Sequence, residues 1–183
     1  MDKEYPLHGI TQRPAAMYHA WGSQNAWLRQ IHGDNKLYIG REVAEEHGFE
    51  DDDWAKLSSR NGQIKAQVKV MDGVNDKTVW TWNAIGKRRG AWNLDKDAKE
   101  ATTGFLLNHL IADLLPAQSG GYRYSNSDPI TGQAAWYDLR VRIEKTTADA
   151  ELSEPQFEPL GQPDGLAKPA AILRYGKKTE AAE

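Results

Sequence analysis

The stretch GQIKAQVKVMDG constrains this chain most. Within it Ile64, Ala66, Val68 and Val70 alternate with Lys65, Gln67 and Lys69, the period of two that sends successive side chains to opposite faces of a strand. One face is core and the other is wet, so the strand must belong to a sheet packed on one side.

The same reading finds short strands at LHGIT, LYIG, Trp54 to Ser58, TVWTW and WYDLRVRIEK, the last with Leu139, Val141 and Ile143 on one face. The first strand is broken at Gln12-Arg13-Pro14, because proline fixes its own φ and pushes the residue before it toward extended backbone. The opening stretch is therefore read as strand and loop. REVAEEHG predicts a two-turn helix closed by Gly48, and the three aspartates after it mark a solvated turn. ATTGFLLNHLIADLLP sets Leu107, Leu110, Ile111 and Leu114 at helical spacing and predicts one amphipathic helix ending at Pro116. Residues 117–135, rich in Gly, Ser, Asn and Asp, read as a long loop. From Thr147 onward come four prolines and few large apolar clusters. Residues 1–146 are thus read as one domain and residues 147–183 as an extended C-terminal tail. Many short strands, one or two helices and glycine-rich connections predict a mainly β chain, a β-barrel with short helical inserts.

Composition narrows the function. A chain of 183 residues suffices for one barrel or sandwich with a proper core. Lys and Arg number 23 against 26 Asp and Glu, a formal net charge of −3, so the overall field does not favour nucleic acid or an anionic membrane. The chain has no cysteine, which removes disulfides, thiolate catalysis and iron–sulfur ligation together. No apolar run approaches the roughly 20 residues needed to span a bilayer, and MDKEYPLHG lacks the apolar core of a secretory signal. Direct membrane insertion is not predicted, and a cytoplasmic address is compatible with the sequence.

The phosphate-cradling, GxSxG and HExxH signatures are all missing. His8, His19, His32, His47 and His109 include no pair at the i, i+4 spacing of a helical metal site. No catalytic nucleophile is visible. Two segments share a different chemistry. TQRPAAMYHAWGSQNAW contains no acid; Arg13 and His19 can meet negative charge, Gln12, Gln24 and Asn25 offer donor and acceptor groups to a heterocycle edge, and Trp21 or Trp27 can stack on a ring. GKRRG places Lys87, Arg88 and Arg89 between two glycines, where backbone N–H groups and the guanidinium fork suit phosphate oxygens. The plain alternatives are core tryptophans, turn-capping amides and a solvated basic turn. Taken together, the two segments point to a large, polar, phosphate-bearing heterocyclic ligand.

At these residues the sequence resembles the C-terminal molybdopterin-dinucleotide-binding domain of the dimethyl sulfoxide reductase family of molybdenum oxidoreductases. YPLHGITQRPAAMYHAWGSQNAWLRQIHG resembles the family's first strand and cofactor loop. AEEHGFEDDDWAKLSSRNGQIKAQVKV is similar to its run of helix, acidic turn, short strand, Ser-Arg-x-Gly and long strand. GAWNL resembles its asparagine-bearing loop, and DPITGQAAWYDLRVRIEK its closing strand. Within the family, WTWNAIGKRRGAWNL and GYRYSNSDPITGQAAWYDLRVRIEK look most similar to catalytic subunits of cytoplasmic sulfite dehydrogenases and of thiosulfate, polysulfide and tetrathionate reductases.

The resemblance implies a six-stranded double-psi β-barrel, aspartate-decarboxylase-like, that covers one side of a bis(molybdopterin guanine dinucleotide) molybdenum cofactor. It implies pterin and phosphate contacts from the loop Thr11 to Gly22 and a cofactor contact from Asn93. Tyr137 follows Trp136 where many members carry lysine, and Lys87, Arg88 and Gln133 are the candidate replacements. It further implies that the metal chemistry belongs to a larger oxidoreductase, the isolated domain having no activity of its own. The iron–sulfur cluster would lie in an N-terminal part of the catalytic subunit. Partners would be that N-terminal part, together with iron–sulfur and membrane-anchor subunits. The alternative from the residues alone is a free-standing barrel that binds nucleotides or single-stranded nucleic acid through aromatic stacking and the basic loop; a small barrel enzyme is a third.

Overall fold

The alternating segment forms strand β4, Gln63–Val70, with Ile64, Ala66 and Val68 buried as its period demands. In the computed structural model, which describes residues 3–83, 85, 104–112, 114, 115, 125–134 and 139–153, five more strands join it. They are β1 (Leu7–Gln12), β2 (Leu37–Ile39), β3 (Trp54–Ser58), β5 (Thr78–Trp82) and β6 (Arg140–Thr146). The strands close in the order β1-β5-β2-β4-β3-β6, and β6 returns to β1. The β1/β5 and β2/β4 pairs are parallel and the rest antiparallel. This is the mainly β, six-stranded closed barrel that the resemblance implies.

Inward-facing Leu37, Ile39, Leu57, Val68, Val79, Val141 and Ile143 fill the interior. Each such aliphatic side chain is worth about 1.5–3 kcal/mol when fully buried, so the alternation seen in sequence is also the main source of stability. Helix α2, assigned here to Arg41–His47, buries Val43 and Ala44 beside Phe49 and ends, as predicted, at Gly48 in the left-handed conformation (φ 69°). β2 runs antiparallel to β5, so α2, which follows β2, lies toward the end of the barrel at which β5 begins.

The acidic turn after α2 is exposed, yet each aspartate has a lysine. Asp51 accepts from Lys69 and from the Val70 amide, Asp52 pairs with Lys36 at 2.7 Å, and Asp53 pairs with Lys145 at 2.7 Å. The turn is thereby clasped to β4, to the residue before β2 and to β6.

Two sequence-based expectations are corrected. The amphipathic helix expected over 101–116 is, among the described residues, a single 3-10 turn at Leu107–Leu110, followed by extended Ile111 and by Leu114 bridged to Ser125. The β3–β4 hairpin accounts for this. Ser59 Oγ and Asn61 Nδ2 donate to the Leu110 carbonyl at 2.7 and 3.1 Å, occupying the acceptor that an α-helix would offer to the Leu114 amide. Gly62 sits so close to the His109 carbonyl that a Cβ there would lie 2.4 Å from its oxygen. Leu107 and Leu110 stay buried, because i, i+3 spacing serves a 3-10 turn as well as an α-helix.

The second correction concerns the opening loop. It holds a 3-10 helix at His19–Gln24 and a short helix α1 at Ala26–Ile31, capped by Asn25, whose Oδ1 accepts from the Trp27 amide at 2.9 Å. α1 buries no residue, and its six residues are too few for an apolar period to stand out in the sequence.

Of the proposed tail, residues 147–153 run beside β4: Lys65 Nζ donates to the Ala148 and Ala150 carbonyls, and the Ser153 amide to Gln63. Residues 154–183 lie outside the described residues, as do residues 117–124 and 135 of the proposed loop at 117–135. Among the described residues no helix is long and apolar enough to cross a membrane.

Candidate functional site

β1 and β5 run in the same direction with Thr11 opposite Thr81 and Gln12 opposite Trp82. Their C-terminal ends therefore emerge together, and the Asn83 amide donates to the Gln12 carbonyl at 2.7 Å just beyond both. This parallel pair is why two segments about seventy residues apart start from one place. β2 begins at the same end, since Leu37 pairs with Thr81. The connection 13–36 thus leaves and returns at that end.

Within the connection, Arg13 Nη2 lies 3.2 Å from His19 Nε2. Arginine only donates, so Nε2 accepts and the proton of the neutral imidazole sits on Nδ1. The guanidinium carbon stands 5.2 Å from the Tyr18 ring centre, a cation–π distance. The Tyr18 and His19 rings meet edge-on at 4.8 Å. His19 itself is left-handed at φ 49°, an uncommon state for a residue with a Cβ and one that is often found at functional loops. Met17 is buried beneath. From Tyr5 to Gly33 the chain has neither Asp nor Glu, so the segment brings no carboxylate of its own to neutralise Arg13.

The β5 side is fixed by a residue that sequence reasoning missed. Buried Asn35 accepts from Thr81 Oγ1 at 2.9 Å and from the Trp82 amide at 3.3 Å, and its Nδ2 donates to the Trp82 carbonyl at 2.9 Å. These bonds all go to the last two residues of β5. A short polar residue just before a strand reads as a turn former, so its partners were not legible. Trp82 is held further by Nε1 donating to the Tyr38 hydroxyl at 3.1 Å. Tyr38 stacks on Trp80 at 3.9 Å, and His32 packs on Trp82 at 5.4 Å. These aromatics build the outer wall of the barrel.

The structure brings Thr11, Gln12, Arg13 and His19 together at the end of β1. Trp21 is exposed on the 3-10 helix, which Gln24 completes. Asn25 uses its carbonyl oxygen as a helix cap. Gln133 is exposed, and its backbone is bound within its own turn, its carbonyl accepting from the Asp128 amide at 2.8 Å. Lys87, Arg88, Asn93 and Tyr137 lie outside the described residues.

Fold and loop together define a class: a closed six-stranded barrel with a donor-rich connection, 13–36, at the end where β1 and β5 stop. The chain belongs to the molydopterin dinucleotide binding domain family, whose profile matches residues 7–127. Over 167 residues, 91% of this chain, it is 52% identical to a sulfite dehydrogenase subunit of Allochromatium vinosum. It is 33% identical over 78 residues to the formate dehydrogenase major subunit of Haemophilus influenzae, a match to 43% of this chain. The matched regions span 17% and 8% of those two relatives. Acetylene hydratase from Pelobacter acetylenicus shares the fold, with a TM-score of 0.55 at 15% identity over 78% of this chain and 18% of that one. Of the readings opened by the sequence, the family match selects cofactor binding.

Proposed function

We propose that the chain forms one side of the binding site for a bis(molybdopterin guanine dinucleotide) cofactor within a larger molybdenum oxidoreductase catalytic subunit. The observation that carries this is that an acid-free loop, holding the Arg13–His19 pair, begins where β5 ends, the Asn83 amide donating to the Gln12 carbonyl. The donor set fits the group: phosphates want guanidinium and N–H donors, and a pterin or guanine edge wants amides and hydroxyls. Thr11, Gln12, Arg13 and His19 would hold the anionic and pterin portions from the β1 side. Asn93, with Lys87 and Arg88, would hold them from the β5 side, and Trp21, Gln24, Asn25, Gln133 and Tyr137 complete the proposed set. When bound, the molybdenum supplies the oxidation–reduction chemistry, and this chain's residues bind and orient the cofactor.

The similarity to sulfite and formate dehydrogenase subunits supports a sulfur-oxyanion or formate-type substrate for the whole enzyme. By the same analogy its partners are the N-terminal part of the subunit, with its iron–sulfur cluster, together with iron–sulfur and membrane-anchor subunits, in a cytoplasmic setting. The test is cofactor content. Asn93→Ala, or Arg13→Ala with Arg88→Ala, should lower molybdenum and guanine in the purified enzyme while the barrel keeps its melting transition. Normal content in those variants refutes the assignment.

A further inference from the structure

We infer that the outward face of α1, formed by Trp27 and Ile31, with Tyr18 and Trp21 exposed in the residues just before it, is the surface on which the remainder of the catalytic subunit seats this domain. The inference rests on the proposal that the chain is part of such a subunit. Trp27 and Ile31 stand at i, i+4 on one helix face and are 76% and 62% exposed; Tyr18 and Trp21 are 62% and 78% exposed. Of the seven large hydrophobic side chains exposed among the described residues, these four fall within fourteen residues of one another.

A six-residue helix that buries nothing has little to hold it, since isolated helices need about 12–15 residues even to be marginal in water. What it lacks is a cover. Aromatic side chains of this size bury about 150–250 Å² each, so the patch amounts to several hundred Å², a fair share of an inter-domain contact of roughly 600–1,500 Å².

The occupant follows from length and place. In the Allochromatium vinosum relative the region matched is 17% of the chain, so most of that protein lies outside this domain. The patch lies in the 13–36 connection, at the barrel end where β1 and β5 stop and β2 begins. A body that closes over a cofactor at that end meets α1. The absence of acids from Tyr5 to Gly33 places no buried carboxylate of this chain in the seam.

Hydrogen–deuterium exchange tests this by comparing the 183-residue chain with the complete cofactor-loaded subunit. Amides of residues 26–31 should exchange at least tenfold more slowly in the complete subunit. The double variant W27A/I31A should restore fast exchange there and make the domain releasable by limited proteolysis. Neither residue is buried, so the melting transition of the 183-residue chain should not move. Equal exchange in chain and subunit overturns the inference, as does a sedimentation result in which the chain alone dimerises through protected 26–31 amides. Molybdenum and guanine are assayed on the same preparation. Protected amides in a cofactor-free subunit count against the proposed function alone, and unprotected amides in a loaded one count against this inference alone.

Discussion

Asn35 shows how one side chain can hold the end of a strand far along the chain. Its amide satisfies the Thr81 hydroxyl and both backbone groups of Trp82, the last residue of β5. Asn35→Ala leaves those partners unsatisfied inside the barrel, which costs about 1–3 kcal/mol. A drop of that size in the urea-unfolding free energy is the expected result. Asn35→Asp sets a carboxylate oxygen against the Trp82 carbonyl and buries its charge, so near neutral pH it should be at least as destabilising as alanine. An Asn35→Ala variant as stable as wild type would show that the network carries no net energy. Arg13 is a different case: it is exposed, its partners Tyr18 and His19 lie in the same loop, and its loss should be felt in ligand retention before it is felt in melting.

Among the elements, the β3–β4 hairpin and the 3-10 turn at Leu107–Leu110 form a latch. Ser59, Asn61 and Gly62 belong to the Ser-Arg-x-Gly signature, and their contacts are with the carbonyls of His109 and Leu110. Gly62→Ala forces a methyl to 2.4 Å from a backbone oxygen, and relief by backbone shift costs about 1–3 kcal/mol. Thermal unfolding should register that loss, and an unchanged transition would mean that the turn moves aside freely. The strands were legible because Ile64 to Val70 and Leu139 to Ile143 carry their face assignment in their alternation. Helix α2 was legible because Gly48 marks its end. Helix α1 was not, because in six residues the Trp27 and Ile31 pair is too short a periodic signal, and the 101–116 segment misled because Leu107 and Leu110 satisfy two helical periods at once. The proposed site chemistry rests on Arg13, His19 and the lack of acids, all visible in the sequence. The β1/β5 register that gathers it pairs residues about seventy positions apart, and no local pattern encodes that.

At the scale of the molecule, the acidic turn ties separate parts of the barrel together and gives stability a sign with pH. Hydrogen bonds from Lys69 and the Val70 amide hold Asp51 below the usual carboxylate range, and those from Lys145 and the Glu50 amide do the same for Asp53. A lowered folded value means that the stabilisation is fully present above the unfolded value of about 3.9 and is lost as pH falls through the folded values. Urea midpoints should therefore drop steeply below about pH 4. The double variant Asp51→Asn with Asp53→Asn should start lower at pH 7 and fall less on acidification; parallel curves would remove these two groups as the cause. Both carboxylates are solvent-accessible, so added salt should shrink the difference.

The barrel is closed by its last strand, since β6 pairs with β1 on one side and β3 on the other. A chain ending before Arg140 would leave two strand edges bare and prone to pairing with other chains. During synthesis, then, the first strand must wait for residues more than 130 positions behind it to leave the ribosome. Until then no closed barrel exists, so loading of any ligand at its open end is an event of the finished polypeptide, and the nascent chain is the form that most needs a chaperone.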